Sequence, residues 1–198
     1  MKNVILLGDS IRQQYCERVK ELLKDICDVR FPEDNCAYTL KTVWNVRNWV
    51  NETGFEKVDL IHYNNGIWDH HRTLADAAPL STPEQYLYLN RRLHDHMTTY
   101  TDKLIWATTT PAGLGYNPNK PNSLCYLSRD EWNKEIALYN NILAGYLTSK
   151  GVWITDLNAV IGADLDNICD DGIHLSDKGT ELAAQAVAEN IRKCLAES

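Results

Sequence analysis

The feature that most constrains this chain is an alternation of two kinds of segment. Short apolar-rich runs at residues 4–7, 27–31, 58–63, 103–108 and 152–155 are each followed by a longer stretch with helical character, at 12–24, 39–51, 83–101, 129–150 and 177–196. Runs this short fit strands better than helices. Strands that alternate with helices pair in parallel, because each crossover carries the chain back to the edge where the previous strand began. Right-handed crossovers place the helices on both faces. The expectation is an α/β fold: a three-layer α/β/α sandwich around a five-stranded parallel sheet, as one domain over residues 1–198. Such sheets bind ligands outside the carboxyl ends of their strands. The places to look are therefore residues 8–10, 32–37, 64–69, 108–111 and 156–158.

Local signals agree with this division. Tyr15, Val19, Leu22 and Leu23 fall on one face of the first helix. Leu138, Ile142 and Tyr146 recur every four residues, which predicts the buried face of the fourth helix, and Gly151 marks its end. Ser81-Thr82-Pro83-Glu84 supplies a cap, a proline for the first turn and an acid at the helix's positive end.

Composition removes several function classes. Twenty Lys and Arg against 27 Asp and Glu give a net charge of −7, which argues against a nucleic-acid partner. No run approaches 18 apolar residues, so no membrane span is expected. The four apolar residues 4–7 are too few for a signal-peptide core. The six cysteines form no CxxC pair, as suits buried reduced thiols in a cytoplasmic protein.

Three separated segments hold candidate chemistry. Gly8-Asp9-Ser10-Ile11 follows the first strand and opens the first helix, where an N–H near a helix N-terminus favours developing negative charge. Taken alone, Ser10 is by default a helix cap. Asp171 and His174, in Asp170-Asp171-Gly172-Ile173-His174-Leu175-Ser176, are spaced so that a turn can bring the carboxylate to the imidazole; the alternative is a solvated Asp-Gly turn with an incidental His. The paired arrangement fixes one ring nitrogen and leaves the other as a base. Asn64-Asn65-Gly66 puts two amides at the tip of the third strand, as oxyanion donors or as an ordinary turn.

Together these segments resemble the SGNH (GDSL-type) hydrolases. Gly8-Asp9-Ser10-Ile11 is similar to the family's first block, with Ile for the commoner Leu. Asp171-Gly172-Ile173-His174-Leu175-Ser176 is similar to its last block. The resemblance implies a flavodoxin-like sandwich and a serine esterase that needs no metal or organic cofactor. It implies Ser10 as nucleophile, His174 as general base and acid, and Asp171 as the residue that orients His174. It also implies an oxyanion hole formed by the Ser10 N–H, the Ala37 N–H and the Asn65 amide. Two positions depart from the pattern. Ala37 stands where the family usually has Gly, and keeps a usable N–H if the backbone there does not need positive φ. Tyr63-Asn64-Asn65-Gly66 stands for Gly-x-Asn-Asp; counting from the strand selects Asn65, and a one-residue slip would select Asn64.

Further residues are expected near the site. Trp68, Asn64 and Thr109 are candidates for substrate contact, Trp68 as a platform for a sugar ring. His70 and His71 diverge as neighbours and lack a third ligand, so they are read as solvated rather than metal-binding. Arg12 is read as a surface or helix-dipole residue, with reception of an anionic substrate group as the alternative. The stretch 112–128 is unusually long for a connection, and is either a pocket wall or lid or a surface excursion. The substrate expected is a small or carbohydrate-borne acyl ester. The alternatives are an acyltransferase on the same site and a catalytically silent binding module; oligomeric state is left open.

Overall fold

The computed structural model describes residues 1–72, 76–120 and 125–197. Strands β1 (Lys2–Leu7), β2 (Cys27–Arg30), β3 (Leu60–Asn64), β4 (Leu104–Ala107) and β5 (Trp153–Thr155) form one sheet in the order β2-β1-β3-β4-β5. Every neighbouring pair is parallel. Helices α1 (Ser10–Leu23), α5 (Leu157–Gly162) and α6 (Asp177–Ala196) cover one face. Helices α2 (Thr39–Glu52), α3 (Pro83–Met97) and α4 (Arg129–Ser149) cover the other.

The strand pleat sorts side chains between the two cores. Val4, Leu6, Leu60 and Ile105 face α1 and α6, whereas Ile5, Leu7, Ile61, Tyr63 and Trp106 face α2, α3 and α4. Both faces of β1 are therefore buried, which is why it reads as a continuous apolar run. The capping signals also act locally. Thr82 forms a capping box with Gln85, and Ser128 forms one with Glu131.

Two features differ from expectation. The inward face of α4 carries Trp132, Ile136, Tyr139, Leu143 and Leu147. Leu138 lies 48% exposed and Ile142 and Tyr146 lie at the edge. The competing stripe carries two large aromatic side chains and so removes more apolar area from water. Among the described residues the chain also forms α5 and two short 3₁₀ turns, Ile67–His70 and Leu165–Asn167, which are too brief to show a repeat.

The strand order locates the crevice. The chain leaves β1 towards β2 on one side and returns to β3 on the other. The connections at the tips of β1 and β3 part there, as at the switch point of other doubly wound sheets of this order.

Candidate active site

The segment 8–11 makes a sharp turn from β1 into α1. A Cβ on Gly8 would lie 2.0 Å from Asn64 Oδ1, so only glycine allows this close approach. Asp9, not Ser10, caps the helix: its carboxylate accepts the Ile11 N–H at 3.0 Å. Ser10 Oγ lies 3.0 Å from His174 Nε2, and His174 Nδ1 lies 2.6 Å from Asp171 Oδ2. The other Asp171 oxygen accepts the N–H groups of Ile173 and His174 at 2.8 and 2.9 Å. Burial alone would raise the Asp171 pKa, but these two N–H groups and the His174 ring outweigh it and hold the carboxyl below its ordinary value. The carboxylate therefore stays ionised and orients Nδ1–H, which leaves Nε2 to accept the Ser10 proton.

The turn that bears His174 is built from its own backbone. Cys169 donates to the His174 carbonyl at 2.7 Å, and Gly172, at φ +77°, donates to the Cys169 carbonyl at 2.9 Å. Residues 112–116, the described start of the long connection, pack directly beneath it. Gly113 donates to the Gly172 carbonyl at 2.9 Å. A Cβ on Gly115 would lie 2.0 Å from the Asp170 carbonyl oxygen, and one on Gly172 would lie 2.0 Å from Tyr116 N. This part of the connection is a buttress for the turn and not a surface excursion. Residues 121–124 of it lie outside the described residues.

The two asparagines part company. Asn64 lies on the α1 side of the sheet, where its Nδ2 donates to Asp9 Oδ1 at 2.8 Å and its Oδ1 accepts from the Tyr15 hydroxyl at 3.3 Å. Asn65 points to the opposite side. Its Nδ2 donates to Asn90 at 2.8 Å, and its Oδ1 accepts from Tyr86 at 3.2 Å and Trp106 at 3.3 Å. Asn65 is therefore committed to the core, and its expected oxyanion role does not fit this geometry. The cause is the pleat: successive strand residues face opposite ways. Asn64 shares a narrow crevice with Asp9, Ile11, Ile67, Thr108, Thr109, Thr110 and Leu157.

Ala37 adopts φ +50°, the left-handed conformation that favours glycine, and gives its N–H to Asn35 Oδ1 at 2.8 Å. The proviso on Ala37 is thus not met: its backbone does sit at positive φ, at a cost of about 1–3 kcal/mol. The loop is nonetheless fastened to the start of α1. Cys36 N–H donates to the Gly8 carbonyl at 3.0 Å, and Gly8 N–H donates to Cys36 Sγ at 3.2 Å. Burial pushes the Cys36 thiol up to about 11, so it remains a neutral acceptor here. Arg12 is buried and not on the surface. Its guanidinium donates to the carbonyls of Gly8, Pro32 and Asp34 at 3.2, 3.0 and 2.7 Å, joining the loop before Ala37 to the loop before Ser10.

The remaining expectations resolve differently. Trp68 is half-buried and packs against the cluster of Ile67, Tyr116 and Trp132, on which Ile173 also packs. Thr109 lines the crevice, but its hydroxyl donates to the Asn65 carbonyl at 3.1 Å. His70 and His71 are buried, not solvated: His70 Nδ1 meets Glu135 at 3.0 Å, and the His71 ring packs at a tilt against Trp68. The 3₁₀ turn draws them inward, an effect that side-chain polarity alone does not reveal. Among the described residues no group of three or more His, Cys, Asp or Glu could hold a metal ion, and no helix is long and apolar enough to cross a membrane.

Gln14 escaped the sequence reading. It grips the backbone of Leu175, beside His174, through two bonds of 2.9 Å. Its spacing of four residues from Ser10, which puts both on one helix face, is the only signal the sequence offers.

No family model matches the chain, and neither does any curated protein. Solved structures do match its fold. A Slackia heliotrinireducens protein assigned to the SGNH hydrolases superposes with a TM-score of 0.71 at 20% identity, over 96% of this chain and 98% of that one. The acetylxylan esterase Axe2 of Geobacillus stearothermophilus gives 0.73 at 15% identity, over 96% and 94%. A GDSL-like lipase of Bacteroides thetaiotaomicron gives 0.71 at 15%, over 97% and 88%. The chain has the three-layer fold of the SGNH hydrolases.

Proposed function

We propose that this SGNH-fold chain is a serine ester hydrolase, acting on small or carbohydrate-borne acyl esters through an acyl-serine intermediate. The observation that carries the reading is the continuous chain of contacts from Ser10 Oγ to His174 at 3.0 Å and from His174 to Asp171 at 2.6 Å. A binding module has no need of such a chain.

In the proposed reaction Ser10 Oγ attacks the ester carbonyl carbon while its proton passes to His174 Nε2. The oxyanion forms against the Ser10 N–H and the second amide hydrogen of Asn64, the first being held by Asp9. Ala37 N–H joins them if Asn35 Oδ1 yields it. The C–O bond to the alcohol breaks, and His174 returns the proton to the leaving oxygen. Water then repeats the sequence with the acyl-serine and releases the acid. Support for an acetylated carbohydrate comes from the likeness to an acetylxylan esterase.

The test is a panel of short aryl esters and acetylated sugars with the wild type and Ser10→Ala. Turnover that Ser10→Ala abolishes, with phosphonate labelling of Ser10, supports the reading. A wild type that turns over no acyl ester and resists labelling overturns it. Product analysis with a competing alcohol separates hydrolysis from acyl transfer.

A further inference from the structure

Nothing within the triad fixes how far His174 stands from Ser10. The two residues are 164 positions apart, and the side chains of Asp171 and His174 remain 49% and 42% exposed. The bonds inside the turn shape it without tying it to α1. Arg18 and Glu181 join α1 to α6 at 2.8 Å, but that pair is exposed and lies beyond the turn.

Gln14 makes the missing tie. Its Oε1 accepts the Leu175 N–H and its Nε2 donates to the Leu175 carbonyl, both at 2.9 Å. One bond would leave the peptide free to swivel; a reciprocal pair restricts its position and its rotation together. Gln14 stands one helical turn beyond Ser10, so the nucleophile and the clamp share one rigid helix. Leu175 is the residue after His174, and its side chain is buried in the core between α1 and α6. The fold thus anchors Leu175 by apolar packing, while the amide clamp sets the peptide beside the imidazole.

We propose that Gln14 is the positioning residue that holds the His174 ring at bonding distance from Ser10, an inference that rests on the esterase reading. Misplacement by about 1 Å at a reacting centre can cost about 100-fold in rate. Gln14→Met removes both bonds and keeps a chain of similar length. It is expected to lower kcat by about 10- to 100-fold while KM changes little. Gln14→Glu keeps the acceptor and loses the donor, so its kcat falls between the two. In a His174→Ala background, Gln14→Met should subtract nothing from the residual rate, because there is no base left to place.

A second measurement does not depend on turnover. The nitrogen-15 shift of His174 Nε2 at fixed pH reports its contact with Ser10, and is expected to move in Gln14→Met. Unchanged kcat and an unchanged Nε2 shift in folded Gln14→Met overturn the proposal, as does an equal loss in the His174→Ala background. If Gln14→Met does not fold, Gln14→Glu carries both measurements, and wild-type values for it overturn the proposal. An inactive wild type, by contrast, sinks the esterase reading and leaves the nitrogen-15 comparison to decide the role of Gln14.

Discussion

The two halves of the candidate site are held in opposite ways. Around Ser10, fixation is by buried polar side chains. Arg12 is 1% exposed and grips three carbonyls, Cys36 and Gly8 exchange two bonds, and Asn64 is held between Asp9 and Tyr15. Around His174 the functional side chains are half exposed, and fixation falls on the backbone: contacts beneath the turn, which Gly115 and Gly172 allow, and the Gln14 amide on the Leu175 peptide. The contrast suits the chemistry proposed. Donors to a developing oxyanion act best when they are preorganised and shielded. A base that exchanges protons with substrate and water has to stay open, so it is steadied through its neighbours. Asp9 shows what the buried arrangement costs: burial raises its pKa despite the opposing bonds from Asn64 and Ile11 and the charge of Arg12.

The largest expected effect breaks the open half at its orienting residue. Asp171→Asn should lower kcat by roughly 10⁴-fold with the fold intact, measured by steady-state rates beside circular dichroism. The sharpest comparison comes next, between adjacent residues. Asn64→Ala removes a proposed oxyanion donor and should cost about 10²–10³-fold in kcat. Asn65→Ala strips partners from Asn90, Tyr86 and Trp106. It should cost about 1–3 kcal/mol of stability in a denaturant titration and change kcat little. Equal kinetic losses from the two variants would refute the pleat assignment. Gly115→Ala pushes the buttress against Asp170, and a loss of about tenfold in kcat is expected, smaller than either loss above.

The smallest effect at neutral pH belongs to buried histidines, which contrast with the open His174. Burial depresses His62 to about 3 and His71 to about 4. When unfolded, both take up protons near pH 6.5. The unfolded state therefore binds more protons below that pH, and stability present above about 6.5 is lost as pH falls towards 4. Among the described residues neither ring nitrogen of His62 has a hydrogen-bond partner. His62→Leu is thus expected to flatten this acid limb without loss at pH 7, read from chemical denaturation at several pH values.

Legibility in the sequence followed the range of each interaction. The strand–helix alternation is a local pattern, and so is the Asp171–His174 spacing, since three residues in a turn meet whatever the rest of the chain does. Counting from the strand selected Asn65, whereas the geometry puts Asn64 beside Asp9, because the answer turns on pleat parity at the end of β3. Expecting that strand to stop at 63 left its tip undefined; it runs through Asn64. Arg12 and Gln14 were invisible for another reason. Their partners are backbone groups 4 to 22 and 161 residues away, and a carbonyl oxygen carries no side-chain identity for a pattern to detect. Residues 112–116 show the same limit: only the fold reveals that their glycines permit contact with residues 170–172.

The alternation of faces along β3 makes this site more sensitive to changes in chain length than to changes in chemistry. Losing or gaining one residue within Leu60–Asn64 would carry Asn65, or Tyr63, to the position beside Asp9, and move the side chains beyond the change from one buried face of the sheet to the other. A substitution tests one group at a time; a single-codon deletion in β3 would exchange the two sides of that strand beyond the deletion at once. Tolerated length variation in this protein is therefore expected in its connections and not in the strand that separates the crevice from the core.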